Sequence, residues 1–164
     1  TGGGDPFTPE VTEAVERLAP LIGVALASGT VFFLSMTLFL SRWGHAVLDN
    51  PGGFGREFRS LALPQPVAWT TVVLAAGALA LDGTPGAVAS DLVLVVATLH
   101  VIQGLAIAHA LVASRGGGRG LLVVMYLSLW LMPLNTFVAL LLALIGFSDT
   151  WIGYRRRFSG SSPE

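Results

Sequence analysis

The sequence predicts an all-α protein, a polytopic bundle of about four membrane-spanning helices with short interfacial helices. The chain is 53% hydrophobic and 12% charged, with a mean hydropathy of +0.73, whereas soluble domains carry about 25% charged residues. Long apolar runs alternate with short polar segments, and about 20 apolar residues cross a hydrocarbon core of about 30 Å. The absence of cysteine excludes disulfides, thiolate metal sites and cysteine nucleophiles.

The first element predicted is a short amphipathic helix at the membrane interface, residues 8–19. Thr8 followed by Pro9 is typical of an N-cap and a first helical position, and acidic residues follow in the first turn. Pro20 is expected to turn the chain into the membrane. Residues 21–41 are uncharged and long enough to be the first span.

Residues 42–65 interrupt the membrane pattern and predict a polar loop with a short surface helix from about Gly55 to Leu63. The turn sequence Asn-Pro-Gly-Gly precedes that helix. Its charges favour either a solvated surface, or an ion pair of Glu57 with an arginine, or contact of arginines with lipid phosphate or an anionic ligand. The residues proposed as a lid or partner surface are Asn50, Arg56, Glu57 and Arg59.

Two apolar runs follow and predict a helical hairpin. Residues 66–81 would reach only about 24 Å as a helix, which is short for a crossing. The polar turn from Asp82 to Gly86 leads into residues 87–114, which would be about 42 Å long and must tilt or protrude. This third span is expected to be the central helix.

The third span carries the polar side chains that are candidates for function. Ionisable groups in hydrocarbon are costly and usually face protein or a cavity. His100 and His109 are nine residues apart, hence on opposite sides of a straight helix, which disfavours a shared metal site. Gln103 lies on the His100 side, whereas His109 is interpreted as an interfacial residue. The apolar strip of this helix that is expected to face lipid comprises Leu94, Val101, Leu105 and Val112.

Residues 121–147 predict the fourth span, with a kink at Pro133. Asn135 has two interpretations: it hydrogen-bonds a carbonyl that the proline leaves free, or it lines a ligand-binding cavity together with His100 and Gln103. The face that includes Asn135 and Gly146 is expected to pack against the third span.

The arginines do not decide the orientation of a four-span chain. Such a topology places five of them on the side of the polar loop and the turn at 115–119, and four on the side of the termini, which leaves the positive-inside rule undecided. The compact triplet Arg155–Arg157 favours a cytoplasmic C-terminus. The chain starts at Thr1 without features of a signal peptide, so we expect a processed or excerpted chain.

The order of segments resembles a known family. An apolar helix is followed by RW…NPGGFGREFRSLALP, two further helices and GFSDTWIGYRRRF, which is similar to the YybS-like family of bacterial membrane proteins of unknown function. The matching elements are Asn50, Pro51, Gly52, Gly53, Glu57, Phe58, Leu63, Pro64, Gly146, Asp149 and Trp151. The resemblance covers nearly the whole chain and implies the C-terminal half of a longer protein. That family is similar to the S components of energy-coupling vitamin transporters, which implies small-molecule uptake.

Two functions follow as hypotheses. The first is a transport-related subunit of the bacterial inner membrane that binds a small polar solute through His100, Gln103 and Asn135. The second is a structural or assembly subunit of a membrane complex, in which these side chains only fasten helices together. The sequence shows no activated serine, HExxH motif or paired intramembrane aspartates, and predicts no enzyme, cofactor or metal site. The net charge of -1 disfavours a nucleic-acid partner; the bilayer and other membrane subunits remain as partners.

Overall fold

The computed structural model describes residues 8–115, 118–131 and 134–159, and within them all regular secondary structure is helical. The helices there are α1 (Pro9–Asp49), α2 (Gly53–Ser60), α3 (Gln65–Ala80), α4 (Gly83–Ser114), α5 (Arg119–Trp130), α6 (Leu134–Ile152) and α7 (Tyr154–Ser159). By length and apolar composition α1, α4 and α6 suffice to cross a membrane, and α2 with α3, bent by 45°, would make a fourth span if counted together. The predicted all-α membrane bundle is confirmed.

The first helix is a single element where the sequence suggested two helices and part of a loop. Thr8 is the N-cap, and its hydroxyl oxygen accepts the Val11 N–H at 3.4 Å. The helix continues past residue 20 because a proline removes one backbone hydrogen bond without ending a helix whose flanking turns are intact. It ends at Asp49, before the Asn-Pro-Gly-Gly turn. Its 41 residues extend over about 61 Å, twice the thickness of a hydrocarbon core.

The turn into α2 depends on two consecutive glycines. Gly52 has a φ of 84°, a left-handed conformation that side chains disfavour. A Cβ on the buried Gly53 would lie 2.6 Å from Nδ2 of Asn50. The predicted surface helix is present and begins two residues earlier than expected, because this turn closes at Gly53.

Helices α3 and α4 form a hairpin whose connection is only Leu81 and Asp82. A Cβ on Gly86 would lie 2.0 Å from the carbonyl oxygen of Leu81, so the chain packs closely at this connection. Helix α4 begins at Gly83, within the segment that was expected to be a turn. Helix α4 contacts every other helix of the described chain, and its buried stretch runs from Ile102 to Ile107. The expectation of a central third span agrees with this packing.

The predicted fourth span is two helices, α5 and α6, separated between Trp130 and Leu134; the predicted kink residue Pro133 lies outside the described residues. Helix α5 has 12 residues, about 18 Å, and is too short to cross the bilayer. It starts directly after α4, whereas α6 ends where Arg155 bonds the Ser60 carbonyl of α2. Because Phe58 of α2 packs against His109 near the end of α4, both ends of this pair lie towards the same end of the bundle, which differs from the expected single crossing.

Candidate functional site: a buried network and an apolar groove

Helices α4 and α6 cross in backbone contact at two glycines. A Cβ on Gly104 would lie 2.1 Å from the Leu142 carbonyl oxygen, and one on Gly146 would lie 2.0 Å from the His100 carbonyl oxygen. Small residues allow this approach between membrane helices. The face of α6 that includes Gly146 packs against α4 as expected, and the crossing brings side chains on the two helices within reach of each other.

A buried polar network lies beside this crossing and is centred on Asp149, whose side chain is 7% exposed. Oδ2 of Asp149 accepts from Nε2 of Gln103 at 3.2 Å and pairs with the guanidinium of Arg155 at 3.2 Å. Oδ1 accepts the Tyr154 N–H at 2.8 Å. The network therefore joins α6 to α4 and α7.

The same network fixes the segment between α2 and α3. Oε1 of Gln103 accepts the Leu63 N–H at 3.1 Å, and Arg155 donates to the Ser60 carbonyl at 3.1 Å. Each end of the Gln103 amide is thus used, one for the backbone of the connecting segment and one for Asp149. This arrangement satisfies backbone groups that have no partner within a helix.

His100 is buried, with 1% of its surface exposed, and faces α3 and α6. Its Nε2 lies 2.9 Å from Oγ1 of Thr71, whose hydroxyl donates to the Val67 carbonyl. With the Thr71 hydroxyl proton directed at the Val67 carbonyl, the tautomer that fits this contact has its proton on Nε2, which donates to Thr71. The ring also packs edge-on against Phe147 at 5.4 Å between centroids. Nδ1 has no hydrogen-bond partner among the described residues.

An apolar groove of about 1360 Å³ lies on another side of α4, bordered by α1, α2, α5 and α6. Leu94, Val101 and Leu105 of α4 line it. This strip was expected to face lipid; that expectation is wrong for Leu105, which is 7% exposed, because other helices border α4 on this side. The groove exceeds the 300–1,000 Å³ or so that is usual for small-molecule pockets.

Two polar side chains of the groove lining, His109 and Tyr126, contact each other beside α2. His109 donates from Nδ1 to the Leu105 carbonyl at 2.8 Å, and its Nε2 lies 3.3 Å from the Tyr126 hydroxyl. Because Nδ1 carries the proton, the neutral ring accepts from Tyr126 at Nε2. Rings of Phe58 and Tyr126 pack against His109 at 5.3 and 5.8 Å between centroids. His109 is thus part of the groove, and its interpretation as a merely interfacial residue was incomplete.

The predicted lid residues separate into different environments. Glu57 is bound by Arg42, whose Nε donates to Oε2 at 2.7 Å, and this hydrogen bond is the main reason that the pKa of Glu57 is lowered. Both side chains are about half exposed. Arg59 lines the groove, whereas Asn50 and Arg56 are exposed outside it.

The three predicted cavity residues do not share one cavity. Asn135 lines the groove, but neither His100 nor Gln103 does. Gln103 instead meets Asp149, one of the residues that carry the family resemblance. Sequence alone did not single out Arg155 or Tyr126 as site residues. Ligand binding by His100, Gln103 and Asn135 stays a prediction.

Comparison with known proteins gives a family and no relative of described function. A family model described as a predicted membrane protein (DUF2232) matches residues 7–150. No curated protein and no solved structure matches the chain significantly.

Proposed function

The chain belongs to this DUF2232 family of membrane proteins, and on that premise we propose that it is a transport-related subunit that binds a small amphipathic molecule in its apolar groove. The observation that carries the proposal is the groove itself, whose mostly apolar lining includes the polar pair His109 and Tyr126. A site of this kind suits a molecule with an apolar body and one polar end better than the polar solute expected from the sequence. We place it in the bacterial inner membrane.

The two polar regions have different roles in this proposal. The side chains of the network around Asp149 make their hydrogen bonds to other protein groups, since Gln103 bonds both Leu63 and Asp149. The network holds together helices that border the groove. Two of the groove residues of α6, Ala139 and Ala143, have small side chains. Space for a ligand therefore depends on these small side chains.

The experiment is photolabelling of the purified protein with an uncharged diacylglycerol that carries a diazirine in one acyl chain. Peptide mapping should find the label on the groove residues of α4 and α6. Ala139→Phe, which adds a ring inside the groove, should lower this labelling about tenfold. Ala76→Phe is the matched control, since Ala76 is exposed on α3 and outside the groove, and it should label as the wild type does. Labelling spread evenly over all helices, and equal in the two variants, would reject the proposal.

A second function, as a structural or assembly subunit, is favoured by the exposure of α1. Leu21, Ile22 and Leu26 are 56–67% exposed, and α1 contributes nothing to the buried core in its most apolar stretch. Two results together would favour this second function over ligand binding. The photolabel would be spread evenly over the protein, and α1 would form a stable, defined complex in native membranes.

A further inference from the structure

We infer that the groove binds an anionic phospholipid, with its phosphate on Arg59 and its acyl chain along α4. The inference rests on the proposed function and specifies the class of molecule. It is argued from the charge of the lining, from the environment of Arg59, and from the length of the groove.

Arg59 gives the lining of the groove its charge. No Asp or Glu lines the groove, and within the described chain no hydrogen bond or ion pair joins Arg59 to another residue. In contrast, Arg17, Arg42 and Arg155 are each paired with a carboxylate. A half-buried guanidinium without an acid beside it is complementary to an anion, and its planar donors match a phosphate.

The guanidinium lies over the surface of the groove. Nη1 of Arg59 is 3.5 Å from the position that a Cβ on Gly55 would take, and Gly55 is itself a lining residue. The neighbouring lining residues Phe54, Phe58 and Tyr126 are aromatic, as is typical of the level at which lipid headgroups meet the hydrocarbon core. The chemistry at this end therefore suits a headgroup.

The remainder of the groove suits an acyl chain. From Leu94 to His109 the α4 lining extends over about 22 Å, which exceeds the roughly 15 Å of hydrocarbon in one leaflet. Two of its polar side chains are hydrogen-bonded within the protein: the Thr98 hydroxyl donates to the Leu94 carbonyl, and the Thr136 hydroxyl to Oδ1 of Asn135. Neither they nor Ser28, which also lines the groove, carries a charge. Arg59, on α2, is thus the group that would distinguish an anionic lipid from a neutral one.

The test is native mass spectrometry of the purified full chain with dioleoyl phosphatidylglycerol or dioleoylglycerol, which share their acyl chains. The wild type should bind the phosphatidylglycerol about tenfold more tightly. Arg59→Gln should remove that preference and leave binding of dioleoylglycerol unchanged. Arg59→Lys, which keeps the charge and loses the planar donors, should retain part of it. Arg56→Gln is the matched control, a charge loss on the same helix outside the groove, and should bind as the wild type does.

The outcomes separate this inference from the proposed function. In one outcome the wild type and Arg59→Gln each bind the two lipids equally, while Ala139→Phe loses binding of both lipids. This result overturns the assignment of the phosphate to Arg59 and keeps the groove as a binding site. Binding that Ala139→Phe leaves intact overturns both proposals. Millimolar inorganic phosphate that binds alone and displaces phosphatidylglycerol in an Arg59-dependent way would overturn the lipid in favour of free phosphate. Unfolding midpoints of the variants verify that each remains folded.

Discussion

At the scale of single residues, Asp149 is the side chain on which the contacts of α4, α6 and α7 converge. A carboxylate in this setting is stabilised only if its lone pairs are used, and here Gln103, Arg155 and the Tyr154 N–H use them. Removing one partner of a buried pair costs more than the pair contributes, because the other charge stays buried without compensation. The stability of the protein should therefore fall strongly when either Asp149 or Arg155 is replaced.

We expect Asp149→Asn to destabilise the protein by about 2–3 kcal/mol, below the full cost of breaking a buried pair because Arg155 is 20% exposed. The measurement is unfolding of the purified protein in mixed micelles by increasing denaturing detergent. Glu13→Gln, which removes the exposed pair with Arg17, should cost less than about 1 kcal/mol. Combining Asp149→Asn with Arg155→Gln should cost less than the sum of the single changes. Equal effects of Asp149→Asn and Glu13→Gln would contradict a stabilising network.

Gln103 supplies a second prediction at this scale. Gln103→Leu should cost about 1–3 kcal/mol, because the Leu63 N–H loses its acceptor and Asp149 loses a donor. His100→Leu should cost less, since the ring of His100 has one hydrogen bond among the described residues, to Thr71. The same unfolding measurement compares them. A larger loss in His100→Leu would show that its ring contacts, not the network, dominate the stability of this part of the core.

The position of polar residues was predictable from the sequence, but their partners were not. His100 and Gln103 stand out as polar groups in an apolar run, and burial follows from that setting. Asp149, however, comes at the end of an apolar run, where a charge is commonly interfacial, and its partner Gln103 is 46 residues away. Helical periodicity places residues on a face of their own helix, and it says nothing about which neighbouring helix covers that face.

At the scale of helices, α4 and α6 cross in close contact, and both border the groove. Hydropathy predicted the existence of these helices, since apolar runs must satisfy their backbone within the membrane. It did not predict that α1 continues through Pro20, because a proline bends, breaks or leaves a helix according to its tertiary contacts. Nor did it predict two helices, α5 and α6, in place of one span over residues 121–147.

Enlarging either glycine at this crossing should separate the helices. Gly104→Ala and Gly146→Ala place a methyl group about 2 Å from a carbonyl oxygen, and we expect each to cost about 1–3 kcal/mol or more. The double variant should cost little beyond one single variant, because one displacement relieves both clashes. Gly23→Ala is the control, since nothing lies within 4 Å of its Cβ position, and it should be neutral or slightly stabilising. Thermal unfolding midpoints measure these effects, and equal midpoints in all variants would contradict the close contact.

At the scale of the whole molecule, the contacts revise the distribution of charge across the membrane. Ring contact of Phe58 with His109 and the bond from Arg155 to Ser60 place α2, the end of α4 and α7 at one end of the bundle. Eight of the nine arginines are therefore at this end: Arg42, Arg56, Arg59, Arg115, Arg119, Arg155, Arg156 and Arg157. Only Arg17 belongs to the N-terminal part of α1. The balance of five against four, expected from four full crossings, thus does not apply.

By the positive-inside rule, this arginine-rich end should be cytoplasmic and the turn between α3 and α4 should face the other side. The natural sequence has no cysteine, so single-cysteine variants report position directly. Asn50→Cys and Arg156→Cys should react with a membrane-impermeant maleimide only after cells are permeabilised, whereas Thr84→Cys should react in intact cells. The inverse pattern would contradict the orientation. If Asn50→Cys and Arg156→Cys reacted from opposite sides of the membrane, α6 would not return to the side on which α5 begins. The placement of Arg155 beside Ser60 would then be wrong as well.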